Sequence, residues 1–177
     1  MKNHKLQEAL KAIAIMTIVF IAGLLAGFYL APPQLKETIF NVHNISALLP
    51  EAGYKTANIS MDGTKVYLTA GCQALAFDVT EDQAFSIRLG LDKDTFSRPM
   101  THDLLKDIFD HYEFQVRAAA IDRFEDEIYK ARITISRDDQ VLDIDSRPSD
   151  AIALAARYGL GMKIKETILA EKGIAVC

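Results

Sequence analysis

The sequence predicts an α+β domain, made of a duplicated unit of three antiparallel strands plus a helix, with additional helices and one transmembrane helix before it. An uncharged apolar stretch, two runs of three short strands, and a helix after each run predict this class. Parallel α/β winding is disfavoured because strands come in runs and do not alternate with helices. The predicted organisation is a cytoplasmic segment at residues 1–11, an anchor at 12–31, a linker at 32–50 and a domain at 51–177.

Length and charge limit the classes of function. A chain of 177 residues has room for one domain plus a short extension. Its net charge of -4 comes from 20 Lys+Arg against 24 Asp+Glu, and the acidic surplus lies beyond residue 40. This balance disfavours a protein that holds nucleic acid mainly by coating phosphates, but it is compatible with a small local basic site.

The apolar stretch from Ala12 to Ala31 contains no charged residue and is about 30 Å long as a helix, which is enough to cross a bilayer. A cleaved signal peptide is the alternative, but its apolar part is usually only about 7–15 residues long. This stretch also runs directly into Pro32-Pro33 without a small-x-small cleavage site. We therefore expect an uncleaved single-pass anchor.

Lysines set the expected orientation of the anchor. Three of them precede the stretch, namely Lys2, Lys5 and Lys11, whereas Lys36 follows it. Positive charges favour the cytoplasmic side, so the N-terminus is expected in the cytoplasm. The folded domain is then expected outside the cytoplasm.

The first run of strands is predicted at Tyr54–Met61, Thr64–Ala70 and Ala74–Val79. Asp62-Gly63 is a strong signal for a tight turn between the first two strands. Thr80 and Gln83 form a capping box that opens a helix through Leu89, and Gly90 is expected to end it.

The second run of strands is predicted at Phe114–Asp122, Ile128–Arg137 and Val141–Asp145. A helix starts at Ser149-Asp150 and continues to Tyr158, where Gly159 stops it. Between the runs we expect a helix from Thr101 to about Tyr112. Its apolar face carries Leu104, Leu105, Ile108 and Phe109. A strand at Met162–Ile164 and a helix at Lys165–Lys172 close the domain.

Two cysteines are present, Cys72 and Cys177, and no Cys/His spacing suits zinc. A disulfide between them requires their Cα atoms to approach within about 7 Å, which sequence does not show. The burial habits of free cysteine favour a buried, unpaired Cys72 and a frayed Cys177.

Two segments carry the candidate chemistry: Ser97–Leu105 and Asp145–Leu154. Each places Ser-Arg-Pro directly before a helix start. Proline favours an extended residue before it and a helical turn after it, so each arginine lies beside free helix N–H groups. That combination suits an anion such as a phosphate.

Helix capping is the alternative explanation of these segments. Thr101 and Ser149 are good N-caps, and Asp103 and Asp150 complement the helix dipole. Capping does not explain His102 in the first helical turn, or an arginine before proline in both segments. A histidine beside carboxylates and arginine is a reasonable general acid or base.

Both segments, Arg98-Pro99-x-Thr101-His102-Asp103-Leu104-Leu105 and Asp145-Ser146-Arg147-Pro148-Ser149-Asp150-Ala151-Ile152-Ala153-Leu154, resemble the two signature stretches of the bifunctional nuclease (BFN) domain family. The similarity extends from about Lys65 to Gly173. It includes the helix at Glu81–Leu89 before the first signature and the closing segment at Ile164–Leu169.

The resemblance implies an oligomeric α+β domain with nuclease activity on RNA and DNA. By motif match, the catalytic candidates are His102, Asp103 and Asp150. The substrate-binding candidates are Arg98, Thr101, Arg147 and Ser149. Asp145 is the metal-binding candidate, since carboxylates suit magnesium or manganese. A homo-oligomer is also compatible with the GxxxG of Gly23 and Gly27.

Two hypotheses follow. The first is a membrane-anchored nuclease, in which Arg98 and Arg147 hold phosphate and His102 moves a proton. The second is a noncatalytic binding or assembly module, in which the Arg and Asp residues serve helix capping and ion pairing. The acidic residues interleaved with arginines between Arg117 and Arg137 favour a solvated face there rather than a nucleic-acid track.

Overall fold

The computed structural model describes residues 11, 16–22 and 52–177. The chain divides into two units, residues 1–40 and residues 41–177. In the first unit, residues 16–22 are helical and exposed. The rest of the expected anchor at 12–31, including Gly23 and Gly27, and the expected linker at 32–50 lie outside the described residues. Within the described residues, no helix has both the length and the apolar character needed to cross a membrane.

Residues 52–177 form eight strands and four helices. The strands are β1 (Tyr54–Asp62), β2 (Lys65–Ala70), β3 (Gln73–Asp78), β4 (Gln115–Glu125), β5 (Ile128–Arg137), β6 (Gln140–Ser146), β7 (Met162–Lys165) and β8 (Ile174–Ala175). The helices are α1 (Glu81–Asp92), α2 (Thr101–His111), α3 (Pro148–Tyr158) and α4 (Glu166–Lys172). The α+β class predicted from the sequence is therefore confirmed.

One sheet contains all eight strands, in the order β6-β5-β4-β7-β1-β2-β3-β8. Each half of the sheet holds three consecutive antiparallel strands, β1 to β3 and β4 to β6, and a helix follows each set. Strand β7 joins the halves, since it pairs antiparallel with β1 and parallel with β4. The element order from β1 to α4 is the predicted one, and β8 is an additional strand that was not predicted. A common origin of the two halves stays a prediction.

Helix α3 is the central helix of the domain. Every side chain from Ala151 to Ala156 is buried, and the helix contacts β4, β5, α1 and α2. The small alanines let neighbouring elements approach closely. Because α1 and α2 both pack against α3, the residues that begin α2 and α3 are brought near the middle of α1.

The predicted end of α1 at Gly90 is wrong. The helix continues to Asp92, and Lys93 ends it in the left-handed conformation with a φ of 57°. Gly90 instead faces α3, where an added Cβ would lie 3.0 Å from the Cβ of Ala156 and 3.1 Å from the carbonyl oxygen of Ala153. The glycine therefore permits close helix packing. The predicted stop at Gly159 is confirmed, with a φ of 68°.

The predicted apolar face of α2 is only partly covered. Phe109 is buried and Leu105 packs against the core, but Leu104 is 57% exposed and Ile108 is 43% exposed. The helix therefore presents apolar side chains to solvent in the isolated chain.

The favoured interpretation of the cysteines is wrong. Cys72 is exposed, and it forms a disulfide with Cys177 across a Cα–Cα distance of 5.1 Å. The C-terminus reaches Cys72 because β8 pairs with β3, and because the Val176 N–H donates to the Cys72 carbonyl at 3.1 Å. Cys177 is therefore held at the edge of the sheet.

Candidate active site

His102 lies where α1, α2 and α3 meet. It is the second residue of α2, and its ring contacts both other helices. The Nδ1 atom is 2.9 Å from the Ser86 hydroxyl of α1, and the Nε2 atom is 3.4 Å from Oδ1 of Asp150 on α3. The ring is mostly enclosed, with 17% of its side chain exposed. His102 therefore links a buried hydroxyl to a carboxylate.

The start of α3 places Asp150 beside Arg147. Arg147 is the N-cap residue, and Pro148 at the first helical position fixes the turn that follows. The guanidinium donates from Nε and Nη2 to the two oxygens of Asp150, at 2.7 and 3.1 Å. Since 70% of the Arg147 side chain is exposed, its remaining N–H groups face solvent. Ser86, His102, Asp150 and Arg147 thus form a chain of polar contacts, the polar path, that runs from a buried hydroxyl to an exposed arginine.

Asp103 and Arg157 form a buried ion pair behind His102. The Arg157 Nε donates to Oδ1 of Asp103 at 2.6 Å, and the two side chains are 4% and 11% exposed. Nη1 of the same arginine donates to the carbonyl oxygens of Ser86 and Ala153, each at 3.0 Å. This one side chain therefore connects α1, α2 and α3, and Asp103 has a structural partner.

The expected N-caps are wrong at both helix starts. Thr101 is the first residue of α2 and is exposed, and Met100 occupies the N-cap. Asp103 supplies the capping bond, since its Oδ2 accepts from the Met100 N–H at 2.9 Å. Ser149 is buried as the second residue of α3, after Pro148. Proline takes the first helical position, so the cap moves back to Arg147.

The surroundings of the histidine favour its neutral form. Burial lowers the pKa of His102, and the positive charge of Arg157 lowers it further, while Asp150 opposes both effects. For Asp103, burial alone would raise the pKa, but the hydrogen bonds from Arg157 and from the Met100 N–H outweigh burial and lower it. These directions favour a neutral imidazole at His102 and an ionised carboxylate at Asp103 near neutral pH.

The two remaining predicted residues, Arg98 and Asp145, make no hydrogen bond or ion pair with His102. Arg98 is exposed in the loop before α2, with no hydrogen bond or ion pair to another residue in 52–177. Asp145 is on β6, where its carboxylate accepts from Arg123 at 3.2 Å and 77% of its side chain is exposed. In the described part of the chain, no group of three or more His, Cys, Asp or Glu residues is placed to hold a metal ion. The predicted magnesium or manganese site at Asp145 has no assembled ligand set there.

A pocket of about 220 Å³ lies beside the buried ion pair. Its cations are already engaged: Lys93 donates to the Ala156 carbonyl at 2.6 Å, and Lys106 pairs with Asp110. The pocket is lined by Leu89, Gly90, Lys93, Asp94, Thr95, Asp103, Lys106 and Arg157. Its lining does not include His102 or Arg147, so it is separate from the polar path described above.

Sequence reasoning missed Ser86 and Arg157. Arg157 carried a detectable signal, because it is a charged residue seven positions after Asp150 in an otherwise apolar helix and so lies on the same helical face. Ser86 lies in an ordinary helical stretch, Ala84-Phe85-Ser86-Ile87, and offered none. Its role depends on a residue sixteen positions away in sequence.

The fold and the site define a class: an α+β domain with a histidine, carboxylate and arginine at the meeting point of three helices. Residues 69–176 match the model of the bifunctional nuclease domain. This chain belongs to that family, as its two signature segments predicted, and both Ser86 and Arg157 fall within the matched region.

Two curated relatives are similar to part of the chain. Both are uncharacterized proteins of Mycobacterium tuberculosis, one from strain CDC 1551 / Oshkosh and one from strain ATCC 25618 / H37Rv. Each is 28% identical over 79 residues, which cover 45% of this chain and 46% of the relative. The matched region thus spans about half the length of these relatives.

Proposed function

We propose that this protein is a membrane-anchored nuclease that hydrolyses phosphodiester bonds of RNA, DNA or both at His102, Asp150 and Arg147. The observation that carries the proposal is the polar path from His102 through Asp150 to the exposed guanidinium of Arg147. Family membership supports the reaction class, and the acidic surface favours short or weakly held substrates over long tracts.

Arg147 is the phosphate-binding group of the proposal. Its Nε and one Nη2 N–H are used by Asp150, which leaves N–H groups free to donate to a phosphate oxygen. The pairing with Asp150 also fixes the plane of the guanidinium before substrate arrives. In the proposal, Arg98, which is exposed in the loop that precedes α2, supplies a second phosphate contact outside this centre.

Asp150 and His102 handle the proton and the developing charge. Asp150 accepts a proton from the attacking water, whose oxygen forms a bond to phosphorus while the bond to the leaving oxygen breaks. The distance of 3.4 Å from His102 Nε2 to Asp150 is longer than an ordinary hydrogen bond. A small movement therefore lets the Nε2–H of the histidine donate a hydrogen bond to the leaving oxygen as charge develops there, and the proton that Asp150 has taken from water then passes to this oxygen.

The test uses the full-length chain in detergent micelles, with labelled single-stranded RNA and DNA and with magnesium, manganese or EDTA. Arg147→Ala should lower cleavage by about 10- to 100-fold, the range for losing hydrogen bonds to a charged group. Arg137→Ala is the matched control, since Arg137 is also a partly exposed arginine beside an aspartate, Asp138. Equal losses in both variants would contradict the assignment.

The membrane anchor and its orientation belong to the same proposal. Residues 12–31 would span the bilayer, with the N-terminus in the cytoplasm and the domain outside it. The disulfide supports this orientation, because such bonds persist in oxidising compartments. Protease added to intact cells should cleave the domain, whereas protection until lysis would contradict the orientation.

A noncatalytic assembly module is the second candidate. The exposed Leu104 and Ile108 of α2 favour it, because they offer apolar area to a second copy of the chain. Under this proposal the Arg147–Asp150 pair only stabilises the start of α3. A folded homo-oligomer that cleaves neither RNA nor DNA with any tested cation would favour this function.

A further inference from the structure

The Ser86 hydroxyl has a defined partner in the interior of the domain. Ser86 is 4% exposed, and within the described residues its Oγ is paired with Nδ1 of His102. Because the hydroxyl is buried from solvent, the protein groups around it determine which of the two atoms donates the hydrogen.

Two directions are available, and the surroundings favour one. If Nδ1 carried the ring proton, the Ser86 hydroxyl would accept it, and its own proton would be buried without an acceptor among the described residues. Nε2 would then turn a lone pair toward the Asp150 carboxylate. If the hydroxyl donates to Nδ1, Nε2 carries the proton and faces that carboxylate favourably.

We infer that Ser86 is a positioning residue, whose hydroxyl donates to Nδ1 of His102 and holds the ring proton on Nε2, facing Asp150. The role of this proton in cleavage rests on the proposed function, but the tautomer itself does not.

Contacts with α3 hold the backbone of α1 in place around Ser86. Nη1 of Arg157 donates to the Ser86 carbonyl at 3.0 Å, and Gly90, four residues later on the same face, permits the close approach of α3. The Ser86 carbonyl therefore binds a residue of α3, while its hydroxyl binds His102 of α2.

The experiment records ¹⁵N spectra of the imidazole rings in the full-length chain, labelled at histidine and held in detergent micelles above neutral pH. The chain has 4 histidines, and loss of one signal in His102→Gln assigns the ring of interest. The wild type should show protonated Nε2 and unprotonated Nδ1. Ser86→Ala should shift the ring toward a mixture of tautomers, and Ser86→Thr, which keeps the hydroxyl, should keep the wild-type spectrum.

Ser136→Ala on β5 is the matched control, because it also removes a buried hydroxyl that bonds a basic side chain, that of Arg117. It should leave the His102 signals unchanged. A wild-type spectrum with the proton on Nδ1 would overturn the inference, even if Ser86→Ala failed to fold. An unchanged tautomer in folded Ser86→Ala would also overturn it.

Cleavage assays on the same samples separate the two proposals. Where cleavage occurs, Ser86→Ala should lower kcat about tenfold with little change in KM, the scale of one lost hydrogen bond. If no sample cleaves nucleic acid but the spectra behave as expected, the proposed function fails and the positioning role stands.

Discussion

At the residue scale, Arg157 connects three helices through its hydrogen bonds. Its guanidinium is buried and donates to Asp103, to Ser86 and to Ala153, while its Nη2 has no hydrogen-bond partner in the described residues. Removing one member of a buried ion pair leaves an uncompensated charge in the interior, which costs more than the pair itself contributes.

We therefore expect Arg157→Met to lower the free energy of unfolding by about 3–5 kcal/mol. Urea denaturation followed by circular dichroism measures the change. The double variant Asp103→Leu with Arg157→Met should recover much of the loss, because no charge is then left buried. Arg137→Ala serves as the surface control, and an Arg157→Met midpoint equal to that control would contradict the buried role.

His102 gives the domain a pH-dependent stability. Burial and Arg157 hold its pKa below the ordinary value of 6.5, so the folded state binds fewer protons than the unfolded state as the pH falls below that value. The contribution is complete above pH 6.5 and is lost as the pH falls toward the lowered pKa.

The urea midpoints of wild type and His102→Gln should therefore converge or cross between pH about 7.5 and pH about 5.5. The change in their difference is limited to about 1.4 kcal/mol per pH unit for one proton. Both proteins share all other titrating groups, so the difference isolates His102. A constant difference across this range would show that His102 has an ordinary pKa.

Single residues show how far the sequence predicts the site. His102, Asp150 and Arg147 were candidates and lie in one polar path, because helix-start motifs place such residues locally. Asp103 was a candidate for catalysis, but it is buried and pairs with Arg157, which is distant from it in sequence. That partner depends on packing, which no local pattern contains.

At the element scale, the contact between α1 and α3 determines the site. Ser86 and Gly90 share one face of α1, and the missing side chain at Gly90 leaves room for Ala156. The capping box at the start of α1 is confirmed, with the Thr80 N–H donating to Gln83 at 3.0 Å. The predicted end of α1 was wrong because Gly90 does not stop the helix but permits its close packing against α3.

Gly90→Ala should lower the free energy of unfolding by about 1–2 kcal/mol, because overpacking outweighs the better helix propensity of alanine. Thermal unfolding measures the change. Asp92→Ala, at an exposed position of the same helix end, should change stability by no more than about 0.5 kcal/mol. A Gly90→Ala variant as stable as the wild type would mean that α1 and α3 can separate without cost.

At the scale of the whole molecule, β7 and the disulfide hold the domain together. The strand runs and the Asp62-Gly63 turn predicted the two antiparallel sets, because local patterns specify hairpins. The insertion of β7 between β1 and β4 depends on pairing of segments that are distant in sequence. The same holds for Cys72 and Cys177, which lie 105 residues apart.

Replacing both cysteines by serine should lower the free energy of unfolding by about 2–5 kcal/mol, as expected for a cross-link that closes a long loop. A reducing agent should lower the melting temperature of the wild type and leave the double variant unchanged. If reduction has no effect on the wild type, the bond does not constrain the unfolded chain.

We propose that His102 and Asp150 form the centre that cleaves nucleic acid. The most direct test is the cleavage rate of full-length His102→Gln and Asp150→Asn on single-stranded RNA and DNA, with folding checked by circular dichroism. We expect each variant to lose about 100-fold or more in kcat, the range for a group that handles protons in the reaction. Folded variants that cleave at the wild-type rate would contradict it.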